Sequence, residues 1–302
     1  MRAVGFHAPG GPEVVEVLDV PEPDRDDLLV VDVAGAAVNP VDLATRSGQI
    51  PTEGTTLLGW DLAGTVLRAP HGSGFAAGDR VAAMTAPLGT GIASMAERVA
   101  LDPAFAVAVP ASLDLLVAAA LPLAGVTAVQ TLRLAGLGAE DRVLLVGAQG
   151  SVGSHVAGRL LARQGPTDLV VRPGDADVWA VRLEQSEALG TVHTSPDAIG
   201  PGTYDVVIDT AGVPTLVDAV REGGRFVTIT PFRAPTPEDH PSVDVRLTSV
   251  EISREDLQDV VARAASGAGV LPDVESLPLE AAGRAHARLE AGGVRGKLVL
   301  VP

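Results

Sequence analysis

Three glycines follow a short run of branched aliphatic residues in the stretch RVLLVGAQGSVGSHVAGRL. If this stretch is a strand-to-helix turn, Gly147 would open the turn, Gly150 would let the backbone approach a pyrophosphate, and Gly153 would let the helix close on the strand. The first N–H groups of the helix, from Ser151 and Val152 onward, would then face the two phosphates. The glycines alone are equally compatible with a plain tight turn, so the neighbouring elements must decide.

A second strand-like segment, DLVV, follows at the spacing of a βαβ unit and ends in the sequence VVRPGD. An acidic residue at this tip binds the ribose hydroxyl of NAD, whereas an arginine accommodates the 2′-phosphate of NADP. Arg172 lies at the tip and Asp175 lies three residues beyond it. We therefore predict NADP(H) as the cofactor, with a solvated surface arginine as the alternative interpretation.

Two further segments end where ligands of parallel sheets bind. The strand in YDVVIDTAG would bring Asp209, Ala211 and Gly212 to the carboxyl edge of the sheet, and Thr230 would reach the same edge after RFVTIT. These residues are candidates for cofactor contacts. Capped turns explain Asp209 equally well.

The order of the elements indicates two domains of different class. Residues 1–110 contain short strands separated by Pro, Gly and Asp clusters, which is typical of a small β-barrel. Residues 111–267 alternate strand-like and helix-like segments, which predicts a doubly wound parallel sheet. Residues 268–302 carry no further nucleotide-binding unit, and we assign them to the first domain.

Composition excludes several classes of function. The formal net charge of −16 argues against nucleic acid and anionic membrane partners, which need clustered Lys and Arg. The chain has no cysteine, and its six histidines are scattered singly, so no metal site is expected. The N-terminus lacks the apolar segment of a secretory signal, and proline and aspartate interrupt the longest apolar region. We expect a cytoplasmic protein without a membrane span.

Six ordered motifs together give a more specific signal than the glycines. They are NPVDLATRSG (39–48), LLGWDLAGTV (57–66), GDRVAAM (78–84), LPLAGVTAVQTL (121–132), the glycine loop, and RGKLVLVP (295–302). In this order the chain resembles the zinc-independent quinone oxidoreductase branch of the medium-chain dehydrogenase/reductase superfamily. The resemblance implies an α/β protein with a GroES-like β-barrel catalytic domain, a Rossmann domain, a cleft for NADP(H) and a homodimer.

The resemblance also implies roles for individual residues. Zinc-dependent relatives would carry a Cys and a His ligand where this chain has Asn39 and Trp60. Without that Lewis acid, alcohol dehydrogenation is not expected. Asn39 would lie beside the nicotinamide, Thr127 near its carboxamide, and Lys297 would neutralise cofactor or substrate charge. Trp60 could stack on a flat substrate or simply fill the space of the lost metal site.

A quinone or an α,β-unsaturated carbonyl can accept hydride without a metal, so we predict a quinone or enone reductase. An NADPH-binding protein without turnover, or a redox-neutral enzyme on the same scaffold, remains the alternative. The only tyrosine, Tyr204, opens a Rossmann strand, so no side chain stands out as the proton donor. We expect Asp42 and Arg46 to pair with each other or to cap a turn, and the segment RFVTIT to form an exposed edge strand for dimerisation.

Overall fold

The computed structural model describes all 302 residues. They form two compact units. The first unit comprises Met1–Leu123, Ile252–Ala265 and Asp273–Pro302, and the second comprises Ala124–Glu251 and Ser266–Pro272.

The first unit is built mainly of β-strands. Its strands are β1 (Arg2–Phe6), β2 (Glu16–Asp19), β3 (Leu29–Ala37), β4 (Thr56–Leu57), β5 (Asp61–Arg68), β6 (Arg80–Met84), β7 (Arg98–Leu101), β8 (Ala106–Ala108), β15 (Val274–Pro278) and β16 (Lys297–Val301). Its helices are α1 (Pro40–Arg46), α2 (Pro87–Thr90), α3 (Leu115–Ala119), α7 (Arg254–Ala265) and α8 (Ala282–Glu290). A three-stranded sheet has the order β2-β1-β4, and a seven-stranded sheet has the order β15-β16-β3-β5-β6-β8 with β7 paired to β3.

The strands predicted in the first hundred residues are confirmed, and their apolar residues share one core. Val4, Leu29, Leu62, Leu101 and Leu300 are among its fully buried members. The C-terminal strand β16 pairs antiparallel with β3, so the last residues of the chain complete a sheet that begins near residue 29. Burial of these aliphatic side chains is the main source of stability for this unit.

The second unit is a doubly wound parallel sheet, as the alternating pattern predicted. Its strands are β9 (Val143–Val146), β10 (Thr167–Val170), β11 (Val192–His193), β12 (Tyr204–Asp209), β13 (Val220–Thr228) and β14 (Asp244–Leu247). Its helices are α4 (Pro122–Ala135), which begins in the first unit, α5 (Ser151–Leu160) and α6 (Ala176–Glu184). The order β11-β10-β9-β12-β13-β14 reverses direction between β9 and β12, which is where nucleotides bind in such sheets.

Three segments group with a different unit from the one that the sequence predicted. Residues 111–123 and 252–265 belong to the first unit rather than to the parallel-sheet domain, and residues 268–272 belong to the second unit rather than to the first. Helix α3 packs on β3 and β5, and helix α7 contacts β8. Periodicity locates a helix along the chain, but it does not say which sheet its apolar face will contact.

The expectation that RFVTIT forms an edge strand is wrong. Strand β13 pairs with β12 on one side and with β14 on the other, so the two edge strands of this sheet are β14 and β11. The four residues of β14, DVRL, alternate between charged and apolar, but none is fully buried, so the sequence gives only a weak strand signal. The alternating pattern of residues 111–267 also predicts a helix between β12 and β13, and the structure has a short 3-10 helix there, Pro214–Ala219. No helix of the structure has both the length and the apolar character needed to cross a membrane.

Candidate active site

The glycine loop has the geometry of a dinucleotide cradle. Strand β9 ends at Val146, and Gly147 turns the chain with φ of +86°, a conformation that favours glycine. The Gly147 N–H donates to the Val170 carbonyl at 3.0 Å, and the Gly150 N–H donates back to the Gly147 carbonyl at 2.9 Å. Helix α5 starts at the next residue, Ser151, so its positive end lies at this turn.

Gly150 and Gly153 differ in what surrounds them. A Cβ added at Gly153 would lie 2.0 Å from the Gly147 carbonyl oxygen, so only glycine lets the helix close on the loop. A Cβ added at Gly150 would meet nothing nearer than that same oxygen at 3.4 Å. The space beside Gly150 is therefore open to an approaching phosphate, as the cofactor prediction requires.

A buried polar atom in the same loop has no partner within the protein. Gln149 Oε1 is shielded from solvent and accepts no hydrogen bond. Buried acceptors are normally satisfied, so this atom is a candidate to receive a hydrogen bond from a bound ligand. Sequence reasoning missed Gln149, although its position between two cradle glycines was a signal. The open space at Gly150 and the unsatisfied Gln149 fit a dinucleotide with its pyrophosphate at the loop.

Asp209 stabilises the neighbouring loop. Its carboxylate accepts the backbone N–H groups of Ala211 and Gly212 at 2.9 Å and of Val213 at 2.8 Å. Burial raises the pKa of Asp209, and these three N–H donors oppose that rise. The capped-turn interpretation therefore describes this carboxylate, and Ala211 and Gly212 remain at the carboxyl edge as candidate cofactor contacts.

The loops after β9, β12 and β13 meet at that edge. The Thr210 hydroxyl donates to the Val146 carbonyl at 2.7 Å and ties the β12 loop to the glycine loop. Thr230, after β13, places its hydroxyl oxygen 2.9 Å from that of Thr228. Thr127 on α4 is buried, and its carbonyl accepts the Thr131 hydroxyl at 2.7 Å. The structure thus gathers most of the predicted cofactor residues within the second unit.

Arg172 is anchored at the tip beyond β10. Its Nε donates to the Asp175 carboxylate at 3.2 Å, and Asp175 is itself buried. The Arg172 side chain is 38% exposed, so the guanidinium also reaches solvent. Asp175 is the nearby acidic residue that could have indicated NAD instead of NADP(H). In the structure it holds the Arg172 side chain in place.

The first unit contains a buried polar cluster of Asn39, Asp42, Asp61 and Lys297, each at most 4% exposed. Asn39 Nδ2 donates to Asp61 at 2.9 Å, and Lys297 Nζ donates to Asn39 Oδ1. The Lys297 ammonium also lies 3.7 Å from the Asp61 carboxylate. Lys297 thus contacts two residues of its own unit, and the cofactor or substrate contact that the resemblance implied stays a prediction.

Asp42 caps helix α1 and does not pair with Arg46. Its two carboxylate oxygens accept the backbone N–H of Asn39 at 2.8 Å and of Gly59 at 3.0 Å. Arg46 instead bonds Glu290 at 2.8 Å. Of the two expectations for this residue pair, the turn cap is therefore confirmed for Asp42 and the mutual ion pair is wrong.

We predict that Asp42 makes stability depend on pH. Burial raises the pKa of Asp42 to about 7, above its value in the unfolded chain. The folded protein therefore keeps a proton that the unfolded chain releases, so this contribution to stability is full below about pH 4 and is lost as the pH rises through about 7. In urea titrations from pH 4 to 8, wild type should lose stability relative to Asp42→Asn. A constant difference between the two proteins across this range would contradict the prediction.

Trp60 lines a cavity within the first unit. The cavity has a volume of about 460 Å³, inside the range of about 300–1,000 Å³ that small-molecule pockets have. Its apolar wall includes Trp60, Leu57 and Leu88, and its polar wall includes Asp42 and Thr52. Trp60 is 9% exposed, so it is both packed in the core and available at the cavity surface. Sequence reasoning found Trp60 and named Asp42 as a cap or ion-pair partner, but it missed Thr52, which lies in a loop without a motif.

Tyr204 is excluded as a proton donor within this cavity. It lies in the second unit, where its hydroxyl donates to the Asp168 carboxylate at 2.8 Å. Burial and this carboxylate raise the pKa of Tyr204. The tyrosine is a buried part of the parallel sheet, as its position at the start of a strand predicted.

Family models match both units of the chain. Residues 25–111 match the alcohol dehydrogenase GroES-like domain, and residues 185–300 match the zinc-binding dehydrogenase family. A spinach protein named quinone-oxidoreductase homolog is 29% identical over 244 residues, which are 74% of this chain and 72% of the relative. An Arabidopsis thaliana protein named NADPH-dependent alkenal/one oxidoreductase is 29% identical over 245 residues, or 76% of this chain and 62% of the relative.

The solved quinone oxidoreductase of Coxiella burnetii has the same fold along its whole length. It superposes with a TM-score of 0.88 at 24% identity, covering 100% of this chain and 99% of that one. The chain belongs to the quinone oxidoreductase branch of the medium-chain dehydrogenase/reductase superfamily. For this member of the branch, the two units are the GroES-like domain and the Rossmann domain that the resemblance implied.

One of the matched family models is named for zinc, but this medium-chain dehydrogenase/reductase lacks Cys and His at the ligand positions that the resemblance gives. Asn39 and Trp60 stand where the resemblance places the Cys and His ligands, and the chain has no cysteine. Among its 302 residues, no three His, Asp or Glu side chains are gathered as a bound metal ion would need.

Proposed function

We propose that this protein is an NADPH-dependent reductase of quinones or of activated C=C bonds. The observation that carries the proposal is the glycine cradle, with open space at Gly150 and a closed contact at Gly153. The names of the spinach and Arabidopsis relatives support the same activity. Bound NADPH would supply the hydride.

The residues of the chain would bind and orient the two reactants. Gly147, Gly150 and the start of α5 would hold the pyrophosphate, and Arg172 would hold the 2′-phosphate. The Trp60 ring would stack on a flat substrate in the cavity. The Thr52 hydroxyl is buried at the cavity wall without a hydrogen-bond partner, so it can donate to a carbonyl oxygen of that substrate.

The Arg172→Ala substitution tests the cofactor choice. We expect NADPH affinity to fall by roughly tenfold or more, since a hydrogen bond to a charged group contributes about 1.5–3 kcal/mol. NADH affinity should change little, because NADH lacks the 2′-phosphate. Calorimetric titration of both nucleotides measures the two affinities side by side. Arg182→Ala, which removes the same charge from helix α6, is the matched control.

The outcomes of that titration separate the proposal from its alternative. An equal loss for both nucleotides would show that Arg172 does not read the 2′-phosphate. Tight NADPH binding with no NADPH oxidation on adding a quinone or an enone would favour the non-enzymatic alternative. A homodimer and a cytoplasmic location stay predictions.

A further inference from the structure

The cavity beside Trp60 has an asymmetric charge distribution. The ionisable residues on its wall are Asp42 and Glu53, and both are acidic. Asp42 is fully buried, whereas Glu53 is exposed at the rim. No lysine, arginine or histidine is among the lining residues. The exposed Glu53 carboxylate is therefore the charged group that a ligand meets in the cavity, because Asp42 is shielded from solvent and has the Lys297 ammonium in its own buried cluster.

The basic residues nearest in sequence to this wall have partners elsewhere. Arg46 follows the lining residue Thr45, but its side chain is 1% exposed and bonds Glu290. His7 Nδ1 lies 2.9 Å from the Thr55 hydroxyl, and its Nε2 lies 3.4 Å from Glu16. Neither side chain is on the cavity wall, so neither can neutralise an anionic ligand there.

The rest of the wall suits a flat and partly apolar molecule. Trp60, Leu57, Leu58 and Leu88 supply apolar surface, and the hydroxyl groups come from threonines. Thr52 is the one of these whose hydroxyl oxygen is buried without a partner. A neutral ring system with polar substituents would bury its apolar faces and satisfy this hydroxyl, whereas an anion would lose its hydration beside a carboxylate.

We propose that this cavity accepts uncharged or cationic substrates and rejects anionic ones, and that Glu53 is the residue that sets this selectivity. The proposal rests on the proposed function, since it narrows the substrate class of the same site. The net charge of −16 acts in the same direction, because the whole chain repels an approaching anion. The Glu53 carboxylate adds a local electrostatic repulsion of anions, which a single substitution can remove.

The test compares two naphthoquinones of similar shape, 1,4-naphthoquinone and 1,4-naphthoquinone-2-sulfonate. Their affinities are measured by equilibrium dialysis, and NADPH oxidation is followed with each in parallel. The proteins are wild type, Glu53→Gln, and Asp24→Asn as the control. Asp24 loses the same charge, but its side chain is 96% exposed and lies outside the cavity.

Wild type should bind the neutral quinone more tightly than the sulfonate. In Glu53→Gln, sulfonate binding should strengthen by roughly three- to tenfold, as expected for one nearby and partly screened charge, with the neutral quinone unchanged. Asp24→Asn should leave both affinities as in wild type. Raising the salt concentration should narrow the preference of wild type for the neutral compound.

Each alternative result has a definite meaning. If both quinones are reduced and the ratio of the neutral-quinone affinity to the sulfonate affinity is the same in all three proteins, the charge selectivity is overturned and the reductase proposal stands. If Glu53→Gln lowers the ratio of the neutral-quinone affinity to the sulfonate affinity but no NADPH is oxidised, the selectivity is supported and the reductase proposal is overturned. If neither quinone binds to any of the proteins, both proposals are wrong.

Discussion

Gly150→Ala should weaken cofactor binding in a folded protein, whereas Gly153→Ala should destabilise the fold itself. Gly150 is the N-cap of helix α5 and Gly153 lies in its first turn, and both would receive the same methyl group, so they form a matched pair. At Gly150 the new Cβ has its nearest neighbour at 3.4 Å, and φ is −75°, which alanine adopts readily. The methyl group would instead occupy the space where a phosphate must approach the backbone.

For Gly150→Ala we expect NADPH affinity to fall by roughly tenfold or more, and stability to fall by only about 1 kcal/mol, since alanine is a poorer helix N-cap than glycine. Calorimetric titration and urea denaturation measure the two effects. Unchanged NADPH affinity in a folded Gly150→Ala protein would mean that the loop is a plain turn, and the oxidoreductase proposal would fail with it.

For Gly153→Ala the steric conflict is with backbone, which has no rotamer to change. The new Cβ would lie 2.0 Å from the Gly147 carbonyl oxygen and 2.8 Å from Thr210 Oγ1. The helix must then move away from the loop, and overpacking of this kind costs about 1–3 kcal/mol and occasionally more. We expect Gly153→Ala to lower the free energy of unfolding by about 3 kcal/mol, as measured by urea denaturation. A stability equal to that of Gly150→Ala would contradict the close helix–loop contact.

The cofactor half of the fold was the part that the sequence predicted best. Glycines at fixed spacing after a buried strand have few structural solutions, because the turn, the close approach and the helix packing each require a missing Cβ. Arg172 was named in the same way, from its position after a strand, and its contact with the 2′-phosphate stays a prediction. The role of Asp209 was less predictable, because a carboxylate after a strand can either cap its own loop or bind a ligand, and the sequence pattern is the same in both cases.

The substrate half was harder to predict for physical reasons. Glu53 and Thr52 lie in a loop with no periodicity, so only the folded chain shows that they share a wall with Trp60. Strand β14 was missed because its short, exposed sequence gives no core pattern. The sequence analysis named Lys297 for a cofactor or substrate contact, but a lone lysine in a sequence does not show whether a buried aspartate is also its partner.

Lys297→Met should be among the most destabilising single substitutions in this protein. Lys297 is the only lysine of the chain, its side chain is 4% exposed, and its ammonium lies 3.7 Å from the fully buried Asp61 carboxylate. Burial raises the pKa of Asp61 and the neighbouring ammonium opposes that rise. Methionine fills a similar volume but leaves the carboxylate of Asp61 and the amide oxygen of Asn39 without their cationic partner.

Removing one partner of a buried ion pair costs about 3–5 kcal/mol, and we expect a loss of this size in urea denaturation at neutral pH. Arg288→Met is the matched control, because it breaks the ion pair with Glu275, in which both side chains are 41–51% exposed. Exposed pairs contribute about 0–1 kcal/mol, so this variant should stay near wild type.

The pH dependence of the stability of Lys297→Met shows whether the variant is destabilised by the loss of the ammonium charge beside Asp61 or by the loss of side-chain packing. Without Lys297, the folded-state pKa of Asp61 rises further above its unfolded value, so the folded protein takes up a proton that the unfolded chain has released. That contribution is complete below the unfolded pKa of about 4 and disappears as the pH rises through the folded value. The deficit of Lys297→Met relative to wild type should therefore shrink as the pH falls toward 4. A deficit that stays constant with pH would mean that Lys297 stabilises the fold by packing, and that its ammonium does not hold the buried carboxylate in its charged form.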